Sequence, residues 1–97
     1  MDRIVVGQRV PVPAAKLPPG TPGSRTESLK LRLRRPDGSV RVVTAPNSPL
    51  VRDPDDALAW RYTGTADRDG VWEWQWEFEG AVLSYGRFRV LATGFVS

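Results

Sequence analysis

Ninety-seven residues carrying a net charge of +3 are the length of one domain with one core. The chain has no cysteine and no histidine, which excludes disulfides, thiolate chemistry and the commonest general base and metal ligand. An enzyme is therefore not expected. The opening strand reads from Ile4 to Val12, interrupted by Gly7 and closed by Pro11 and Pro13. Proline lacks a donor N–H, so this strand belongs at a sheet edge or at a change of sheet. From Pro11 to Ser24 five prolines and two glycines resist helix and strand alike, and a polyproline-like arm or loop is expected at about 11–24.

Leu29-Lys30-Leu31-Arg32-Leu33-Arg34 alternates with period two, leucines inward and cations outward. Pro36-Asp37-Gly38 follows as a turn, because proline presets φ, aspartate bonds back to the backbone and glycine accepts positive φ. Val40 to Thr44 returns as the hairpin partner. Ala45 to Asp56, with Pro46, Pro49 and Pro54, reads as a long connection. Leu58, Trp60 and Tyr62 alternate in a strand over Ala57 to Thr65. Asp67-Arg68-Asp69-Gly70 then turns the chain into Val71-Trp72-Glu73-Trp74-Gln75-Trp76-Glu77-Phe78-Glu79.

In that last run four large aromatics hold every second place, which predicts a strand with one dry and one wet face. Each ring can bury about 150–250 Å², on the order of 4–6 kcal/mol gross. Gly80 turns the chain into Val82 to Tyr85, Gly86 predicts a bulge, and Phe88 and Val90 point inward with Arg87 and Arg89 outward. No helical period occurs. Short strands at hairpin spacing predict an all-β sandwich or small barrel. No apolar run approaches the ~20 residues of a membrane span, and Met1–Gly7 is too short and too charged for a signal peptide. A soluble protein is expected.

Trp60-Arg61-Tyr62-Thr63-Gly64-Thr65, Asp69-Gly70-Val71-Trp72-Glu73-Trp74-Gln75-Trp76 and Gly86-Arg87-Phe88-Arg89-Val90, with the Pro36-Asp37-Gly38 turn, carry a resemblance. Over roughly Leu29 to Leu91 the chain resembles the small immunoglobulin-like β-sandwich proteins encoded among the virion structural genes of tailed bacteriophages and prophages. The proline-rich segment is longer than in that pattern, and Trp74 stands where a smaller residue is usual. The resemblance implies an immunoglobulin-like antiparallel β-sandwich and a non-catalytic virion structural protein, assembled in the bacterial host cytoplasm. It implies a place in the neck or head–tail joining region, or on the capsid as decoration. Implied partners are portal, connector, capsid or tail subunits, with multiple copies in a ring or lattice. Fibronectin-like and bacterial surface domains share much of this pattern, so the alternative is an extracellular carbohydrate-binding or adhesion module.

Trp60, Tyr62, Trp72, Trp74, Trp76, Phe78 and Phe88 are the expected core. The rival reading of the tryptophans is an exposed platform that stacks on sugars or bases. Lys30, Arg32, Arg34 and Arg41 are expected to share an outer face, the last across the hairpin, opposite the row Glu73, Glu77 and Glu79. That patch suits acidic subunits; nucleic-acid binding is not expected as the main task, because charge is nearly balanced and no recognition motif occurs. Pro18 and Pro19 mark the part of the arm expected to dock on a neighbour. Asp53, Asp55 and Asp56, and Asp67-Arg68-Asp69, lack the ligand spacing of a calcium loop and read as turn chemistry. No cofactor, metal or membrane contact is expected.

Overall fold

The computed structural model describes residues 2–20, 29–45, 47 and 49–92. Among these residues eight strands follow in chain order: β1 Asp2–Val5, β2 Ala15–Lys16, β3 Leu29–Arg34, β4 Val40–Thr44, β5 Leu50–Asp53, β6 Asp56–Tyr62, β7 Gly70–Phe78 and β8 Ala81–Leu91. They form two sheets, one in the order β1-β8-β7-β3-β4 and the other β2-β6-β5. All pairings are antiparallel except β1 with β8. Among the described residues there is no helix.

The period-two rows set the register. Leu29, Leu31 and Leu33 of β3 lie opposite Phe78, Trp76 and Trp74 of β7, and a cross-strand pair always shares a face. On the far side of β7, Trp72 lies opposite Phe88 of β8, their rings stacked with centroids 5.9 Å apart. The small sheet contributes Ala15, Leu50, Trp60 and Tyr62 to the same buried cluster. Trp76 is wholly buried, and its Nε1 donates to the Pro13 carbonyl at 3.0 Å. Trp72 Nε1 donates to the Arg68 carbonyl at 3.1 Å. A buried indole costs little once its one polar atom is matched. Trp74 is only half-buried, packed against the edge of the cluster.

Four expectations change. The opening strand stops at Val5, where Gln8 Oε1 accepts from the Val5 amide and the Gln8 amide donates to the Val5 carbonyl. The chain then crosses to the other sheet through the Arg9–Thr65 bridge. Residues 11–20 are not a free arm. Ala15 and Leu17 are buried, the Leu17 amide donates to the Leu58 carbonyl, and Ala15 pairs with Trp60. The prolines removed donors only at their own positions; the residues between them kept both amide and apolar side chain. Residues 21–24 of that segment lie outside the described residues.

Leu50–Asp53 is a strand where a connection was expected. Pro49 and Pro54 bracket it, which an edge strand tolerates. Last, the irregularity in β8 is at Leu83 and not at Gly86. Trp76 faces Ser84 while Glu77 faces Val82, so Leu83 has no partner on β7. Gly86 answers a different need: a Cβ there would lie 2.7 Å from the Trp74 ring. At the hairpin tip Glu79 (φ 50°) and Gly80 (φ 82°) form a two-residue turn with both central residues left-handed.

Candidate interaction surface

If Leu29, Leu31, Leu33 and the β7 aromatics face inward, the alternate positions must face out. Rows running across the outer face of the large sheet read Val40, Arg34, Glu73, Arg87, then Val42, Arg32, Gln75, Tyr85, then Thr44, Lys30, Glu77, Val82. Arg89 opposite Val71, with Arg3 beside it on β1, extends the face. Six cations thus share the paired positions with only two carboxylates, Glu73 and Glu77.

The centre of the face is a charge network. Arg32 Nε donates to Glu77 Oε2 at 2.6 Å, and Gln75 Nε2 donates to the same oxygen at 2.7 Å. The Arg32 hydrogen bond, and then that of Gln75, holds the Glu77 carboxyl below its usual range. Arg34 reaches Glu73 at 3.6 Å. Arg87 and Arg89 have no carboxylate partner among the described residues. Between these groups lies an open depression of about 290 Å³ lined by Arg32, Arg34, Val40, Glu73, Trp74, Gln75, Tyr85 and Gly86. Two of its lining residues protrude: Tyr85 is 77% exposed and Val40 50%. Arginine and aromatic side chains with few lysines are the composition of protein interfaces.

The predicted patch is therefore met in part. Lys30, Arg32 and Arg34 stand together as expected. Arg41 does not join them: it lies opposite Leu33, on the inner-facing side of edge strand β4, and is exposed there. The face it was expected to share is held by Val40 and Val42. Pro18 and Pro19 are exposed where the chain leaves the small sheet, away from this face. Sequence reasoning missed Val40, Val42 and Tyr85. Counting the turn would have found the valines, because five residues between Arg34 and Val40 force Arg32 opposite Val42.

The other charged groups are structural. Arg68 donates to Asp37 Oδ2, and Arg35 lies 3.7 Å from Asp67. These contacts tie the β3–β4 turn to the loop before β7. Gly70 sits under Pro36 at φ 122°, where a Cβ would meet the proline ring at 2.6 Å. The hydroxyl and amide of Ser39, and then Arg68, lower the Asp37 pKa. Asp53 Oδ1 accepts from the Asp55 amide and Asp56 Oδ1 from the Leu58 amide, the turn roles expected of them. Among the described residues no acidic group is arranged to hold a metal ion, and no helix is long and apolar enough to cross a membrane.

Three of the four tryptophans offer no open platform; Trp74, half-buried, lines the depression. Trp60, Trp72 and Trp76 are buried. Trp60 lies under the Arg52 guanidinium, 5.1 Å from its ring centre, and its Nε1 is buried without a hydrogen-bond partner among the described residues. The depression brings together two guanidinium groups, the Glu73 carboxylate, the aromatic residues Trp74 and Tyr85 and the aliphatic edge of Val40. Comparison of the chain with protein families, with curated proteins and with solved structures finds no match.

Proposed function

We propose that the chain is an immunoglobulin-like β-sandwich serving as a non-catalytic structural protein of a bacteriophage virion. In that fold the two sheets run ABED and CFG, and an added C′ strand extends the second beyond C. Taken in chain order, β3, β7 and β8 occupy the places of C, F and G, β4 that of C′, and β2, β6 and β5 those of B, E and D. The departure is β1, which leaves the place of A beside B and runs parallel to β8. This order supports the fold, and the motif resemblance supports the virion.

The observation that carries the functional reading is the division of labour between the faces of β7. Trp72 and Trp76 turn into the core, and the built exterior is a face of arginine, valine and tyrosine suited to protein partners. A neck or head–tail joining position is favoured, with capsid decoration second, and portal, connector, capsid or tail subunits are the neighbours. Mass spectrometry of purified particles tests it: the protein is expected at many copies per virion, and its absence from intact particles ends the proposal. The exposed Tyr85 ring beside the polar depression favours one second reading, a carbohydrate-binding module. Glycan-array binding that is lost in Tyr85→Ser would establish that reading instead.

A further inference from the structure

We propose that copies of this chain associate head to tail, the Pro54-Asp55 turn of one copy seating in the outer-face depression of the next. The face around the depression carries six cations against two carboxylates, and Val40 and Tyr85 protrude at the depression's edge. It fits a small convex element bearing carboxylate and apolar groups. The β5–β6 turn is such an element. Pro54 and Asp55 are exposed at its tip. The bond from the Asp55 amide to Asp53 Oδ1, 2.8 Å, fixes its shape. Asp53, Asp55 and Asp56 lie in or beside it, and Lys16 pairs with Asp56 at 3.3 Å.

The turn and the depression cannot meet within one chain. They belong to different sheets. β6 runs from this turn toward the loop whose Arg68 touches Asp37, so the turn lies a strand length away from the β3–β4 end, about 20 Å at 3.3 Å per residue. Two unlike surfaces on one molecule make a heterologous contact, which propagates into a ring where the rotation closes and into an open array where it does not. The overall +3 charge opposes association, but at ~0.1 M salt the Debye length of ~10 Å screens the distant charges and spares those in contact. The contact is small, so the association is weak and salt-sensitive.

The inference rests on the reading of a multi-copy structural subunit, yet the two fail separately. A protein present in particles but monomeric in solution overturns only the head-to-tail contact; a self-associating protein missing from particles overturns only the virion assignment. Sedimentation velocity of the full chain is the test. In about 0.05 M salt the weight-average coefficient should climb between about 20 µM and about 1 mM protein, and fall back to the monomer value in about 0.5 M salt. Arg34→Glu alone and Asp55→Ala alone should each stay monomeric. Their equimolar mixture should form a dimer and nothing larger, because one partner supplies the intact turn and the other the intact face. Tyr85→Ser, which removes only an exposed ring, should weaken association several-fold and covers the chance that Arg34→Glu disturbs the fold beside Glu73. A wild type that stays monomeric throughout, single variants that associate like the wild type, or a mixture that stays monomeric overturns the proposal.

Discussion

The two halves of β8 have the same neighbour on one side and opposite fates. From Phe88 to Leu91 the strand lies between β7 and β1, and Phe88 and Val90 are buried. From Ala81 to Arg87 it pairs only with β7 among the described residues, and no side chain there is buried. Val82, Leu83 and Tyr85 are as apolar as the residues further on, so hydrophobicity does not separate the halves. Cover does. The first half opposes Trp76 and Trp74 with Ser84 and Gly86, small residues that let the indoles lie across the strand. Its larger side chains go to the outer face. The comparison teaches that one strand can turn its large side chains outward along one half and inward along the other.

Substitutions can break that contrast at graded cost. Phe88→Ala empties a site stacked on Trp72 and should cost about 3–5 kcal/mol of unfolding free energy. Tyr85→Ser, three residues earlier, should move it by less than about 0.5 kcal/mol. Urea denaturation of the two variants measures the difference directly. If both cost the same, the exposed half is packed against something else.

Gly86→Ala is next. Its methyl would lie 2.7 Å from the Trp74 ring, so the indole must shift, at about 1–3 kcal/mol. The accompanying sign is a change in near-ultraviolet circular dichroism. At the tip joining β7 to β8 the sign reverses. Glu79 holds φ 50°, a conformation that asparagine adopts more readily, so Glu79→Asn should stabilise by up to about 1 kcal/mol, seen as a higher Tm.

The smallest effect comes from acid. Glu77 on the outer face, and Asp37 and Asp56 in the turns, have pKa values lowered in the folded state, by hydrogen bonds from Arg32, Ser39 and Leu58 respectively. The folded protein therefore binds these protons less tightly than the unfolded chain. Their contribution is complete above the ordinary carboxylate range and lost as pH falls through the lowered values. A titration of Tm should decline below about pH 4, and Glu77→Gln should flatten part of that decline.

Much of this was legible in the chain. Period-two alternation placed β3 and β7 and the dry face of each, and Trp60, Tyr62, Trp72, Trp76, Phe78 and Phe88 are buried as read. Strands β2 and β5 were not legible, because they are short and bounded by proline, and their pairing with β6 is a tertiary choice. Arg41 was misplaced because alternation gives a strand two faces without saying which meets the neighbour; only the register across the hairpin does. The bulge was assigned to Gly86 because glycine marks both bulges and close approaches, and here it served the second. Tyr85 carried no signal, since the bulge expected at Gly86 left its side of the strand open.

Side-chain hydroxyl-radical footprinting reads both faces of β7 and β8 at once and is the most direct test that the indoles make the core while the outer sheet face does the binding. The expected result in dilute protein is strong labelling of Tyr85 and little of Trp60, Trp72 and Trp76. In the assembled state Tyr85 should lose its labelling and the three indoles should not change. Strong labelling of Trp72 and Trp76 in dilute protein, suppressed by an added oligosaccharide, would contradict it.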